Sequence, residues 1–246
     1  MSVKPYSDNQ ESKKTQVKAM FNKIAHRYDF LNHFLSAGID RYWRKKALRF
    51  LKDKDHAGIL DVATGTGDFA IQAYKMLQPD MVTGIDISEK MLAYGKQKIA
   101  KKLPGAKISL ITGDSEDLEF NDHTFDAVTV AFGVRNFENP EKGLSEINRV
   151  LKPGGWLVIL EFSNPGKFPV KQLFGMYFKY LLPFIGTLVS TDTKAYRYLP
   201  ESVTQFPEGE NLVRMLEKAA FTNCRFEPLT FGIATIYTAQ KSFPPS

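Results

Sequence analysis

The sequence predicts a single α/β domain of Rossmann-like type, with a mostly parallel seven-stranded sheet and helices on both faces. Three observations carry this prediction. From residue 58 onward, short β-branched and aliphatic runs alternate with helical segments, as expected of βαβ units around a buried parallel sheet. The first of these runs passes into a glycine pair, G-T-G at 65–67, and then into a helix. Two more strand-like runs, at 224–230 and 233–240, form a hairpin-like pair near the C-terminus. With 43% hydrophobic residues among 246, there is material for one substantial core.

Taken in chain order, residues 1–15 are polar and lack an apolar signal region, so they are expected to be a disordered tail with no secretory leader. Residues 16–246 make the domain. A helical cap is expected over 16–52. Val17, Met20, Phe21 and Ile24 share one face of a helix at 15–26. In R-Y-W-R-K-K-A-L-R (41–49), apolar residues interleave with cations at helical spacing, which predicts an amphipathic helix over 40–52. Strands follow at 58–63, 81–86, 108–112, 125–131 and 155–162, with helices at 69–77, 89–103 and 141–150. An irregular, aromatic-rich insertion at 164–205 precedes a helix at 208–220 and the closing strands. The most apolar stretch, 173–190, is broken by Lys179, Pro183 and Gly186 and falls short of the ~20 apolar residues a bilayer span needs.

Thirty-three lysines and arginines against 27 acidic residues leave a net charge of +6. Such a balance suits a soluble basic enzyme, a nucleic-acid ligand or an anionic membrane surface. Because the densest basic cluster reads as an amphipathic helix and not as a basic tail, peripheral contact with an anionic membrane is expected and nucleic acid is not. The single cysteine, Cys224, excludes an internal disulfide, which fits a reducing, cytoplasmic setting. His26, His33, His56 and His123 form no ligand spacing, so no metal is expected.

The chemistry concentrates at strand ends. In I-L-D-V-A-T-G-T-G-D (59–68), Gly65 and Gly67 let the backbone turn tightly beside a ligand. With Ala70 they also satisfy the dinucleotide fingerprint, which keeps a nicotinamide-dependent oxidoreductase as a rival. Asp61 argues against it: a carboxylate at this junction repels a pyrophosphate and attracts the ammonium of a methionine moiety. Asp86 closes the second strand, where it can accept both ribose hydroxyls. Asp114 and Ser115 end the third strand, where a carboxylate and a backbone N–H can hold an adenine. Each carboxylate also has a structural reading as a cap or turn residue. Their succession along one sheet edge predicts a nucleoside pocket, with S-adenosyl-L-methionine as the cofactor.

From about Val17 onward the chain resembles the UbiE/MenG family of quinone C-methyltransferases. M-F-N-K-I-A-H-R-Y-D-F-L-N (20–32), L-D-V-A-T-G-T-G-D (60–68), F-G-V-R-N-F (132–137), R-V-L-K-P-G-G (149–155), L-E-F-S-N-P (160–165) and Y-R-Y-L-P-E-S-V (196–203) carry the likeness. The resemblance implies a class I methyltransferase fold and C-methylation of demethylmenaquinol to menaquinol, or of a benzoquinol precursor of ubiquinone. It implies cofactor contacts at Thr66, Asp86, Asp114 and Ser115. Where some members have a serine contact before F-G-V-R-N, Ala131 stands here and offers only its backbone.

Methylation at a ring carbon requires an oxyanion beside it, and a phenol-type hydroxyl titrates near ~10. Arg135 is the expected electrostatic stabiliser, with Asn136 orienting the second ring oxygen; the competing reading pairs Arg135 with Glu161. The substrate's isoprenoid tail must come from a bilayer. Phe174, Met176, Tyr177, Phe178, Tyr180, Leu181, Leu182, Phe184 and Ile185, beside Lys167, Lys171 and Lys179, suit an interfacial helix and tail groove. A homodimer and a non-catalytic cofactor-binding protein are carried as further alternatives.

Overall fold

The computed structural model describes residues 3–6, 9–29, 36, 38–177, 180 and 193–243, with backbone alone at 193–197. Phe178, Lys179, Leu181, Leu182, Phe184, Ile185 and His33 from the readings above lie outside the described residues. Strands β1 (Gly58–Val62), β2 (Met81–Asp86), β3 (Ile108–Thr112), β4 (Phe125–Ala131), β5 (Leu151–Phe162), β6 (Phe221–Leu229) and β7 (Ala234–Lys241) form one seven-stranded sheet in the order β3-β2-β1-β4-β5-β7-β6. Pairing is parallel from β3 through β5, and β7 enters antiparallel between β5 and β6.

Both faces are covered, which is why the central strands read as continuous apolar runs. Leu60 and Val62 of β1 join a core with Leu144 and Ile147 of α5 (Pro140–Val150) and Leu212 and Leu216 of α8 (Glu210–Lys218). Ile59 points the other way, into a core with Phe69 and Ala70 of α3 (Asp68–Leu77) and Trp43 and Leu48 of α2 (Ile39–Arg49). Asp61 shares that second side by the period-two alternation of a strand. Local signals set the helix starts. Ser88 caps α4 (Glu89–Lys102) by accepting from the Met91 amide, and Asn139 caps α5 with Pro140 in its first turn.

Several expected bounds shift, each for a physical reason. The tail is shorter than 1–15, because α1 runs over Lys13–Ile24 with Ser12 as its cap. Buried Gln16 ties the preceding segment down, donating to the Asn9 and Glu11 carbonyls at 3.0 Å and accepting from the Tyr6 amide at 2.9 Å. One side chain thus satisfies three backbone groups of a polar stretch. β5 starts at Leu151 and not at 155, since the P-G-G turn is absorbed as a register shift against β4. β6 likewise starts at Phe221, with a second shift around the positive-φ Asn223. The insertion at 164–205 is partly helical, with α6 (Val170–Met176) and α7 (Thr193–Gln205).

The basic helix behaves differently from expectation. On α2, Trp43, Ala47 and Leu48 are buried in the core, so its apolar face is not available to a membrane. α6 is the opposite case, with no buried residue and with Phe168, Leu173, Met176 and Tyr180 all exposed around it. No helix among the described residues is long and apolar enough to cross a membrane.

Candidate functional site

The C-terminal ends of β1 to β4 gather around a cleft of about 660 Å³, part of it open to solvent, at the edge where open α/β sheets bind ligands. α1 covers it with Lys14, Val17 and Phe21, and Tyr28 closes the same side. Two non-glycine residues with positive φ, Ala63 at 54° and Phe132 at 58°, end β1 and β4 on its wall, a backbone strain that collects at binding sites. The turns they begin touch one another: a Cβ on Gly133 would stand 2.7 Å from the Ala63 Cβ. Gly65 has φ +57°, and a Cβ there would enter the space between Met91 and Tyr28.

Gly65, Asp86, Asp114 and Ser115 line this cavity as expected, and Asn136 faces it from the opposite turn. Asp86 accepts from the Gly65 and Ser88 amides at 2.8 Å, one on each oxygen. Burial pushes its carboxyl up to about 6, against the stabilising pull of those amides. Asp114 accepts from the Lys14 ammonium at 2.6 Å and from the Glu116 amide at 2.9 Å. Lys14 was not anticipated, since α1 is 100 residues away in sequence.

Asp61 and Thr66 line a second, smaller cavity of about 330 Å³, which shares Tyr28, Ala63, Gly65 and Ala131 with the first. Asp61 accepts from the Thr64 and Thr129 hydroxyls at 2.6 and 2.8 Å; burial pushes it, too, up to about 6. The Thr66 hydroxyl is engaged by Asp29 and by Lys98 at 2.9 Å, so the segment after α1 is clamped to the glycine loop. Gly67 lines neither cavity. It caps α3 with φ +77°, a conformation that favours glycine, so its contribution is to the turn.

Arg135 departs most from expectation. Its guanidinium is buried, donating to the Phe132 carbonyl and, at 2.6 Å, to Glu161, and it lies 5.4 Å from the Phe162 ring centroid. It lines neither cavity. The pairing with Glu161, the alternative the sequence left open, is the one this structure holds. Asn136 remains on the wall, its amide oxygen accepting from the Tyr198 hydroxyl at 3.1 Å and its nitrogen donating to the Phe132 carbonyl at 3.3 Å. Burial pushes the Tyr198 phenol up to about 12, so it stays a donor. Lys13 locks α1 to the same turn, its ammonium donating to the Arg135 and Phe137 carbonyls at 2.8 Å. Tyr198 and Lys13 were invisible as site residues, because their partners lie 62 and more than 120 positions away.

The strand order is that of class I methyltransferases. A family model for the ubiE/COQ5 methyltransferase family matches residues 9–241. The chain belongs to that family. It is 52% identical over 239 residues, 97% of each chain, to a demethylmenaquinone methyltransferase of Bacteroides fragilis. It is 44% identical to the ubiquinone/menaquinone biosynthesis C-methyltransferase UbiE of Geobacter sulfurreducens, over 92% of this chain and 88% of that one. A solved SAM-dependent methyltransferase of Thermotoga maritima shares the fold with TM-score 0.66 at 17% identity, over 92% of this chain and 100% of that one. Membership of a methyltransferase family removes the nicotinamide oxidoreductase that the glycine fingerprint alone left open.

Proposed function

We propose that this methyltransferase converts demethylmenaquinol to menaquinol with S-adenosyl-L-methionine as methyl donor, the last step of menaquinone biosynthesis. The observation that carries the substrate class is the 52% identity to a relative bearing that name, spread over 97% of both chains. The cavity agrees with it. Its lining combines the carboxylates Asp86 and Asp114, which suit a nucleoside, with the apolar Val17, Phe21, Phe132 and Phe137, which suit a flat ring.

The residues fit the cofactor: a glycine cradle between Met91 and Tyr28, an amide-held carboxylate for the ribose, and a carboxylate for the adenine amino group. When bound, it supplies an electrophilic sulfonium methyl group. Asp86 would hold its ribose and Asp114 its adenine amino group, and the group would alkylate a ring carbon made nucleophilic by loss of the neighbouring hydroxyl's proton, that proton and the carbon's own both passing to solvent water. Asn136 serves as the contact to a ring oxygen. Tyr198 holds the amide oxygen and the Phe132 carbonyl holds the nitrogen, which orients an N–H donor toward developing negative charge. Holding the ring against the methyl supplies much of the rate enhancement through proximity.

The tail would enter from a membrane through the exposed apolar residues of α6 and Phe168, beside Lys167 and Lys171, on the inner face of the bilayer. Vesicle binding lost in Phe168→Ser/Leu173→Ser would support this entry; binding unaffected by those changes would refute it. A ubiquinone precursor is the second reading, favoured by the relatives named UbiE. Quinone profiling of a strain lacking the gene decides: accumulated demethylmenaquinone supports the proposal, and an unmethylated benzoquinone precursor overturns it.

A further inference from the structure

α2 sends one residue to the smaller cavity, Arg44. Its side chain is only 8% exposed. Nη1 pairs with Asp40 one turn earlier, Asp40 is itself held by the Ser36 hydroxyl at 2.8 Å, and the guanidinium packs over the Phe132 ring. Nε is buried and has no acceptor among the described residues. An unsatisfied buried N–H is costly in a folded protein, and arginine presents its donors in a planar fork that matches a carboxylate.

The same cavity holds Asp61, whose two oxygens accept only from neutral hydroxyls among side chains. One small space thus offers a buried guanidinium with a spare donor and a buried carboxylate with no directly bonded cation. That is the complement of a zwitterion. We propose that Arg44 binds the α-carboxylate at the amino-acid end of the methyl donor, while Asp61 takes its ammonium. The assignment rests on S-adenosylmethionine being the cofactor and adds a residue from the helical cap to its site. It also gives the buried Asp40–Arg44 pair a purpose: Asp40 holds the fork in place without using all of it.

Titration calorimetry with two ligands tests this without recourse to turnover. S-adenosylhomocysteine and its decarboxylated counterpart share the adenosine and the ammonium and differ only in the carboxylate. The native protein should bind S-adenosylhomocysteine ~10–100-fold more tightly, the worth of charge-assisted hydrogen bonds to one group. Asp40→Asn/Arg44→Gln removes both charges of the buried pair together, so neither is left uncompensated. In it the preference should shrink to about twofold or less, through weaker binding of S-adenosylhomocysteine alone. Arg44→Lys, which keeps the charge, should retain part of the preference. Equal affinity of the native protein for both ligands, or an undiminished preference in the double variant, overturns the assignment. If neither ligand binds the native protein, the cofactor reading itself falls and takes this one with it.

Discussion

Two buried arginines, Arg44 and Arg135, have nearly the same surroundings. Each has one carboxylate partner, Asp40 or Glu161, and each packs over a phenylalanine, Phe132 or Phe162, whose rings lie 4.4 Å apart. In each, Nε has no acceptor among the described residues. Only Arg44 reaches a cavity wall. An orphaned donor is therefore no sign of a ligand site by itself; what distinguishes Arg44 is open space with an opposite charge across it. Arg135 is paired with Glu161 and lines neither of the two cavities.

The largest effect that could break this contrast is at Arg135. Arg135→Ala leaves Glu161 buried and alone, so unfolding free energy should drop by ~3–5 kcal/mol, with S-adenosylhomocysteine affinity falling alongside. Arg135→Met/Glu161→Leu should recover most of the stability in urea titrations. A single variant that keeps its stability and cofactor affinity but turns over slowly would mean that Arg135 acts on the reaction after all.

On the cofactor side, Asp86→Ala should weaken S-adenosylmethionine binding by ~1.5–3 kcal/mol, read by calorimetry; unchanged affinity in a folded variant removes Asp86 from the pocket. The same carboxylate sets a pH dependence. Asp61 and Asp86 are raised to about 6 from 3.8, so the native state takes up their protons more readily than the unfolded chain. From these two groups, the cofactor-free protein gains stability as pH falls from about 6 toward 3.8. Cofactor affinity should move the other way and weaken through that window, since the bound form needs both ionised. A pH profile of affinity that is flat from 7 to about 5 contradicts the assignment of both carboxylates.

A smaller effect sharpens the substrate side. Tyr198→Phe deletes one hydrogen bond to Asn136, worth about 0.5–1.5 kcal/mol, so kcat should fall ~3–10-fold with cofactor affinity and melting temperature near native. If Asn136 contacts the ring oxygen, the acid limb of the kcat profile should also move to higher pH. A rise in KM alone, with kcat unchanged, would place the hydroxyl outside the chemical step.

Much of the sheet was readable because its strands are buried on both faces and bounded by turn residues: the bounds of β2, β3 and β4 come out as expected. The misplaced starts of β5 and β6 share one cause, since glycine and asparagine signal a turn whether the strand ends there or merely shifts register. At the site, the glycine loop and the strand-end carboxylates were legible as types at fixed positions. Arg135 and Arg44 were not separable in this way. Each has a carboxylate partner, four residues off for Arg44 and 26 for Arg135, and which arginine borders a cavity depends on packing between distant elements. The contacts of Tyr6, Asn9 and Glu11 with Gln16 were hidden for a similar reason, since composition does not point to a partner.

The position of β7 bears on how the molecule is made. It is the last strand in chain order, yet it lies inside the sheet, between β5 and β6. While a ribosome is still translating the region before Ala234, β5 presents an open edge and β6 has no neighbour to pair with. Such an edge is a template for association with other chains. Parallel pairing from β3 to β5 can form during synthesis, but the sheet can close only after residues 234–241 have left the exit tunnel.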